Sequence, residues 1–214
     1  MPHPHTFLPG ASKRLEVLSD GVFAIACTLL VLEIKIPHFE KDLPITEQWE
    51  KFAEIFPTIF AFIFSFLNIL VFWINHDALS QVIVRFDTKV TYLNIIFLML
   101  ISLIPFTTAF IGGNPTSFIA IAAYGAVLLL ASIVAVAMYH HLAFKAKLLM
   151  PEVTLASKKR VYRQIFPSPF IYLLAIGSVF FTNIIPIIIY SGMPVIYMFM
   201  PQLEFEMKES KSKE

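Results

Sequence analysis

Few side chains in this sequence can do chemistry, and most sit where long apolar stretches begin or end. Arg14, Ser19 and Asp20 introduce the run 21–32, and Trp73-Ile74-Asn75-His76-Asp77 closes a second run. An acid, an imidazole and a guanidinium so placed can relay protons, attract cations or tie helices together by hydrogen bonds. A single His in such a setting is more often structural than reactive, and His76 is read that way, closing a network with Asp20, Ser19 or Arg14. The pairs His140-His141 and His3-x-His5 lack Cys or carboxylate companions at metal-ligand spacing. No Ser or Cys is framed by a nucleophile motif, and the lone Cys27 has no disulfide partner. With no assembled constellation and no cofactor implied, an enzyme is not expected.

The elements that position these groups follow from the apolar content. Of 214 residues 57% are hydrophobic and 14% charged, whereas a soluble domain carries about 25% charged residues. The net charge of +1 offers no field for nucleic acid. Residues 55–75, 90–144 and 164–203 contain no Asp, Glu, Lys or Arg over 21, 55 and 40 residues respectively. A spanning helix needs roughly 20 apolar residues, so these runs hold one span, two spans and two short ones. Residues 17–36, interrupted by Asp20, Glu33 and Lys35, make a sixth.

The longest run divides at Gly112-Gly113-Asn114-Pro115-Thr116-Ser117, a cluster of helix-ending residues. A single helix over 167–200 would be about 51 Å long against roughly 30 Å of hydrocarbon. The mismatch favours a hairpin near Asn183, with Ser191-Gly192-Met193-Pro194 as the competing turn. Lys and Arg then alternate in position along the chain. Lys13, Arg14, Arg85 and Lys89 flank the first three spans, and Lys145, Lys147, Lys158, Lys159, Arg160 and Arg163 follow the fourth. Residues 37–51 hold two Lys and four acids, and 112–117 no charge. Positive segments stay cytoplasmic, so six crossings with both termini inside are expected in the cell membrane. The division is a flexible tail over 1–12, a six-span membrane domain over 13–203 and a second tail over 204–214.

The first span separates into two faces. At about 100° per residue, Arg14, Leu18, Gly21, Ile25, Thr28, Leu29 and Leu32 cluster within roughly 60° of one line, while Ser19, Asp20 and Phe23 point the other way. Such an apolar stripe ordinarily means helix packing. An intramembrane carboxylate costs roughly 2.5 kcal/mol or more at mid-depth, which a partner within the bundle would offset for Asp20.

Arg14-x-x-x-Leu18-Ser19-Asp20-Gly21 resembles the first-helix Arg-x-x-x-Phe-Ser-Asp signature of the transmembrane protein 175 potassium-channel family. Phe72-Trp73-x-x-His76 resembles the signature closing that family's second helix. Leu18 departs from the usual Phe, a change of packing rather than charge. The length and short loops are similar to the family's single-repeat prokaryotic members.

The resemblance implies an all-α membrane protein of six helices per subunit, assembled as a homotetramer in the bilayer with the first helix lining a central pore. It implies a pore constriction at Ile25, Leu29 and Leu32, a hydroxyl layer tied to selectivity at Thr28, and a helix-positioning network of Arg14, Ser19, Asp20 and His76. Potassium would be the permeant ion, with no resident metal. The Thr-Val-Gly-Tyr-Gly filter of ordinary potassium channels is absent from both the family and this sequence. One other function stays open: a proton-permeable channel or secondary transporter built on Asp20, His76 and Asp77. The acids Glu33, Glu40, Asp42, Glu47 and Glu50 could gather cations at the mouth or form a solvated loop.

Overall fold

The computed structural model describes residues 11–36, 39, 41 and 43–199. The tail 1–10, with His3 and His5, the tail 204–214, and Glu40 and Asp42 lie outside the described residues. Eight α-helices follow one another among those described: α1 (Ala11–Leu32), α2 (Ile45–Ala53), α3 (Phe56–Ser80), α4 (Thr88–Gly113), α5 (Phe118–His140), α6 (Leu155–Ile165), α7 (Ser168–Ser178) and α8 (Ile184–Phe199). A π-helical turn, His141–Lys145, continues α5. Four of these helices (α1, α3, α4 and α5) are long and apolar enough to cross a membrane. The chain is a multi-pass helical membrane protein.

The helix ends follow local chemistry. Asp87 caps α4 by accepting from the Val90 N–H at 2.8 Å, and Ser117 and Thr154 cap α5 and α6 the same way. These caps satisfy amides that have no partner within the helix. Pro57 occupies the first turn of α3, where its missing N–H costs nothing. The gap between α7 and α8 ends at Asn183, whose side chain donates to the Thr116 carbonyl at 2.9 Å; Ser191 to Pro194 lie inside α8.

Two stretches read as connections contain helices. Glu47 and Glu50 ride on α2, and Lys158, Lys159, Arg160 and Arg163 on α6. Both helices are amphipathic, with Glu47, Glu50 and Lys51 opposite Trp49 and Phe52 on α2, and Lys159, Arg160 and Arg163 away from the buried Val161 on α6. Their charge density disqualifies them as spans, and that same density concealed their helical period.

α4 is the centre of the bundle, packed against α1, α3 and α5, while α7 packs on α5 and α8, and α8 on α3. The main core joins Phe23, Ala26 and Leu30 of α1 to Ile69, Phe97, Ile101, Ile104 and Leu128. A second cluster at the Lys-rich end joins Leu79, Val82, Phe86, Val90, Tyr139, Leu142, Leu149 and Val161. There Val84 N–H donates to the Leu148 carbonyl and Met150 N–H to that of Val82, each at 2.9 Å. The two basic connections are thereby stitched together. Lys147 takes a left-handed conformation at φ 53°, which lets Leu148 N–H return to the Leu142 carbonyl at 2.9 Å and close the end of α5.

Candidate functional site on the first helix

α1 is built with one edge in and one edge out. Ser19, Phe23, Ala26 and Leu30 are all at most 2% exposed. On the opposite edge Ile25 is 59% exposed, Leu29 42% and Leu32 73%, and Thr28 is exposed between them. The period of 3.6 residues produces this division directly, because the buried positions recur at intervals of three and four. Gly21 lies on the open edge with nothing near its missing Cβ.

The buried edge is held by a directed chain of hydrogen bonds. The Ser19 hydroxyl donates to its own helix at the Leu15 carbonyl, 2.8 Å away. With that proton committed, Ser19 Oγ accepts from Asn94 Nδ2 at 3.0 Å. The same amide turns Oδ1 toward His76 Nε2 at 2.8 Å, so the imidazole carries its proton on Nε2 and donates. The His76 ring is stacked on Phe97 at 6.0 Å and tilted against Phe23 at 5.7 Å. α1, α3 and α4 meet at this point.

Asp20 is anchored separately. Its Oδ1 accepts from the Trp73 indole N–H at 3.1 Å. Among the described residues no hydrogen bond joins Asp20 or Arg14 to Ser19 or His76, and Arg14 lies exposed near the start of α1. Asp77 pairs along its own helix with Gln81 at 2.8 Å. Of the four residues expected to form one network, the fold links Ser19 and His76 through Asn94, fastens Asp20 to Trp73, and leaves Arg14 outside both.

Asn94 and the role of Trp73 were missed by sequence reasoning. Asn94 sits inside a run without charges, and an amide does not register in a search for ionisable groups. Trp73 at the end of a span reads first as an interfacial anchor. A second buried network was also missed: Thr108 donates to Ser65, which bonds Tyr124, while Asn68 donates to the Tyr190 carbonyl at 3.0 Å and accepts from the Tyr172 hydroxyl at 3.4 Å. It ties α3, α4, α5, α7 and α8 together.

The remaining histidine pair is structural at one member, since His141 Nε2 lies 2.7 Å from Asp87 Oδ2. Burial alone would raise the Asp87 carboxyl, but the hydrogen bonds from His141 and from the Val90 and Lys89 amides outweigh it and hold its pKa below the ordinary 3.8. Among the described residues no three His, Cys, Asp or Glu side chains converge as a metal site requires.

The chain is similar to known proteins in sequence and in fold. The model of the family described as endosomal/lysosomal potassium channel TMEM175 matches residues 14–105, which carry both α1 and its anchors. A potassium channel of Chamaesiphon minutus is 34% identical over 170 residues, covering 78% of this chain and 83% of that protein. A potassium channel of Streptomyces collinus is 33% identical over 66% of this chain and 69% of its own length. The crystal structure of a lysosomal potassium-selective channel TMEM175 homolog from Chamaesiphon minutus superposes with a TM-score of 0.77 at 29% identity, covering 89% of this chain and 97% of that one. These family and structural neighbours are ion channels, not enzymes, and the chain belongs to the TMEM175 family.

Proposed function

We propose that the chain is one subunit of a potassium-preferring cation leak channel, in which the first helices of four copies surround a shared pore. The observation that carries this reading is the open edge of α1. Ile25, Leu29 and Leu32 are left uncovered by their own subunit, while the opposite edge is locked down by Asn94, His76 and Trp73. A helix held so firmly on one side can present the other to a symmetry axis without sagging into it. The similar Chamaesiphon and Streptomyces proteins, named potassium channels, support the choice of ion.

In this reading α7 and α8 make the fifth and sixth crossings, and the Lys-rich ends lie in the cytoplasm below a cell membrane. Four Ile25 side chains converging on the axis form a dry constriction that excludes water and hence ions until it widens. Thr28 lies one turn along the same edge and is the hydroxyl available to compensate a partly dehydrated ion. Asp20 and His76 act as anchors rather than as a proton relay, since each is bonded to a neutral partner, Trp73 or Asn94.

The test is potassium efflux from liposomes holding the purified protein, with sodium outside. Ile25→Asn wets the constriction and is expected to raise efflux severalfold at equal protein load. Unchanged flux in Ile25→Asn and in Leu32→Asn would remove the pore assignment. A cross-linking ladder ending at two or three subunits would remove the tetramer.

A further inference from the structure

Away from α1, a cleft of about 640 Å³ opens on the outside of the bundle at the Lys-rich end, between the α4–α5 pair and α6–α7. Its volume lies within the roughly 300–1,000 Å³ range of small-molecule sites. Its chemistry changes with depth. Lys89 in the first turn of α4, and His140 and Lys145 at the end of α5 and its π-turn, line it where the helices finish. Ile133, seven residues before His140 and so about 10 Å deeper along α5, lines it together with Ala137 and Phe170.

Among the described residues no Asp or Glu lines the cleft. The acid adjoining it, Asp87, has its carboxylate occupied by His141 and the Val90 amide. The two lysines are exposed. The π-turn contributes to the placement of Lys145, because a wider turn rotates it relative to where an α-helix would carry it. The result is a cationic mouth above an apolar trough, set at the level where apolar helices end and polar connections begin.

We propose that this cleft binds one anionic phospholipid from the leaflet at the Lys-rich end of the helices, its phosphate against Lys89 and Lys145 and an acyl chain along Ile133, Ala137 and Phe170. Charge complementarity selects the head, and the depth profile selects a ligand with a tail over a soluble anion. Juxtamembrane lysines near an anionic surface are worth about 1 kcal/mol each, so loss of both weakens retention by about 30-fold. The site needs only the membrane placement of the helices, and its failure leaves the pore reading untouched.

The experiment is native mass spectrometry of the full-length protein in detergent with phosphatidylglycerol or phosphatidylcholine of identical chains. Retention of phosphatidylglycerol over phosphatidylcholine is expected. It should fall by about 30-fold in Lys89→Gln/Lys145→Gln and persist in Lys13→Gln/Lys159→Gln, which removes two charges outside the cleft. Ala137→Trp, which fills the trough without altering charge, should also displace the lipid. If it misfolds on size-exclusion, the lysine pairs decide. Equal retention of the two lipids, or equal loss in both lysine pairs, overturns the site. Displacement by inorganic phosphate, but not by chloride at the same ionic strength, makes it a free-anion site and overturns the proposal. A smaller assembly in Ala137→Trp marks the cleft as a subunit contact and does the same.

Discussion

Asn94 of α4 donates from Nδ2 to Ser19 Oγ of α1 across 3.0 Å, at a point where Asn94 is fully buried and Ser19 is 1% exposed. The bond has a direction imposed at both ends, because Ser19 has already given its proton to Leu15 and His76 must give one to Asn94 Oδ1. One amide therefore fixes the rotation of α1 about its own axis and the orientation of an imidazole on α3.

Removing that amide strips the His76 Nε2–H of its acceptor, while Ser19 keeps its bond to the Leu15 carbonyl. Asn94→Leu is expected to cost about 1–3 kcal/mol, the usual cost of an unsatisfied buried group. Ser19→Ala removes one acceptor and creates little cavity, so about 1 kcal/mol is expected. Thermal unfolding in detergent ranks the two. Equal melting temperatures for Asn94→Leu and wild type would show that the chain of bonds contributes nothing.

Gly125 and Tyr190 make a second, steric relationship. A Cβ on Gly125 would overlap the Tyr190 hydroxyl and stand 2.7 Å from its Cζ and 2.8 Å from Ile176 Cγ1. Glycine is required here by the close approach of α8 and α7 to α5. Gly125→Ala is expected to destabilise by about 1–3 kcal/mol, the usual cost of overpacking. Tyr190 Oη is buried without a hydrogen-bond partner among the described residues, so Tyr190→Phe alone is expected to be neutral or slightly stabilising. In the Gly125→Ala background it should recover only part of the loss, because Cζ remains in place. A double-mutant cycle on melting temperature reads the coupling.

Asp87 gives the Lys-rich end a dependence on acid. Its pKa is lower in the folded chain than the ordinary 3.8. The unfolded state therefore binds a proton first as pH falls. The stabilisation is complete above the unfolded value and is lost as pH falls through the folded one, below 3.8. Asp87→Asn keeps a capping side chain but gives up the ionised partner of His141. The difference in melting temperature between wild type and Asp87→Asn should shrink as pH falls below about 4. A difference that grows as pH falls below about 4 would reverse the assignment.

How much of this could be read in advance depends on how each feature is encoded. Continuous apolar length is what a bilayer demands, so the uncharged runs at 55–75 and 90–144 located α3, α4 and α5 without any knowledge of packing. The break ending at Asn183 was legible for the same reason, since 34 residues of helix exceed the hydrocarbon. The two faces of α1 followed from period alone. α2 and α6 were not legible by that route, because charges that exclude a span say nothing against a short surface helix. Asn94 and Asn68 were hidden for a different reason: an amide carries no charge, and its value appears only when the helices bring it to Ser19 and His76, or to Tyr172 and Tyr190. The indole of Trp73 is similar, an anchor by type whose partner Asp20 is 53 positions away in the chain.

Thr28 offers the sharpest check of ion chemistry on the open edge. Its hydroxyl donates back to the Ile25 carbonyl at 2.9 Å, a bond that uses the proton and leaves the oxygen lone pairs outward. An outward lone pair is an acceptor, suited to a cation or to a water that a cation holds, and unsuited to an anion. Ile25 and Leu29 beside it have no such atom, so deleting the oxygen removes compensation without changing the width of the edge. Thr28→Val preserves volume and branching and is expected to lower potassium-over-sodium preference severalfold while leaving the folding stability within about 0.5 kcal/mol of wild type, as exposed substitutions do. Thr28→Ser restores the oxygen and should restore most of the preference. The measurement is the reversal potential of reconstituted protein under opposed potassium and sodium gradients. An unshifted reversal potential in Thr28→Val, with Ile25→Asn still raising flux, would keep α1 at the pore and remove Thr28 from selectivity.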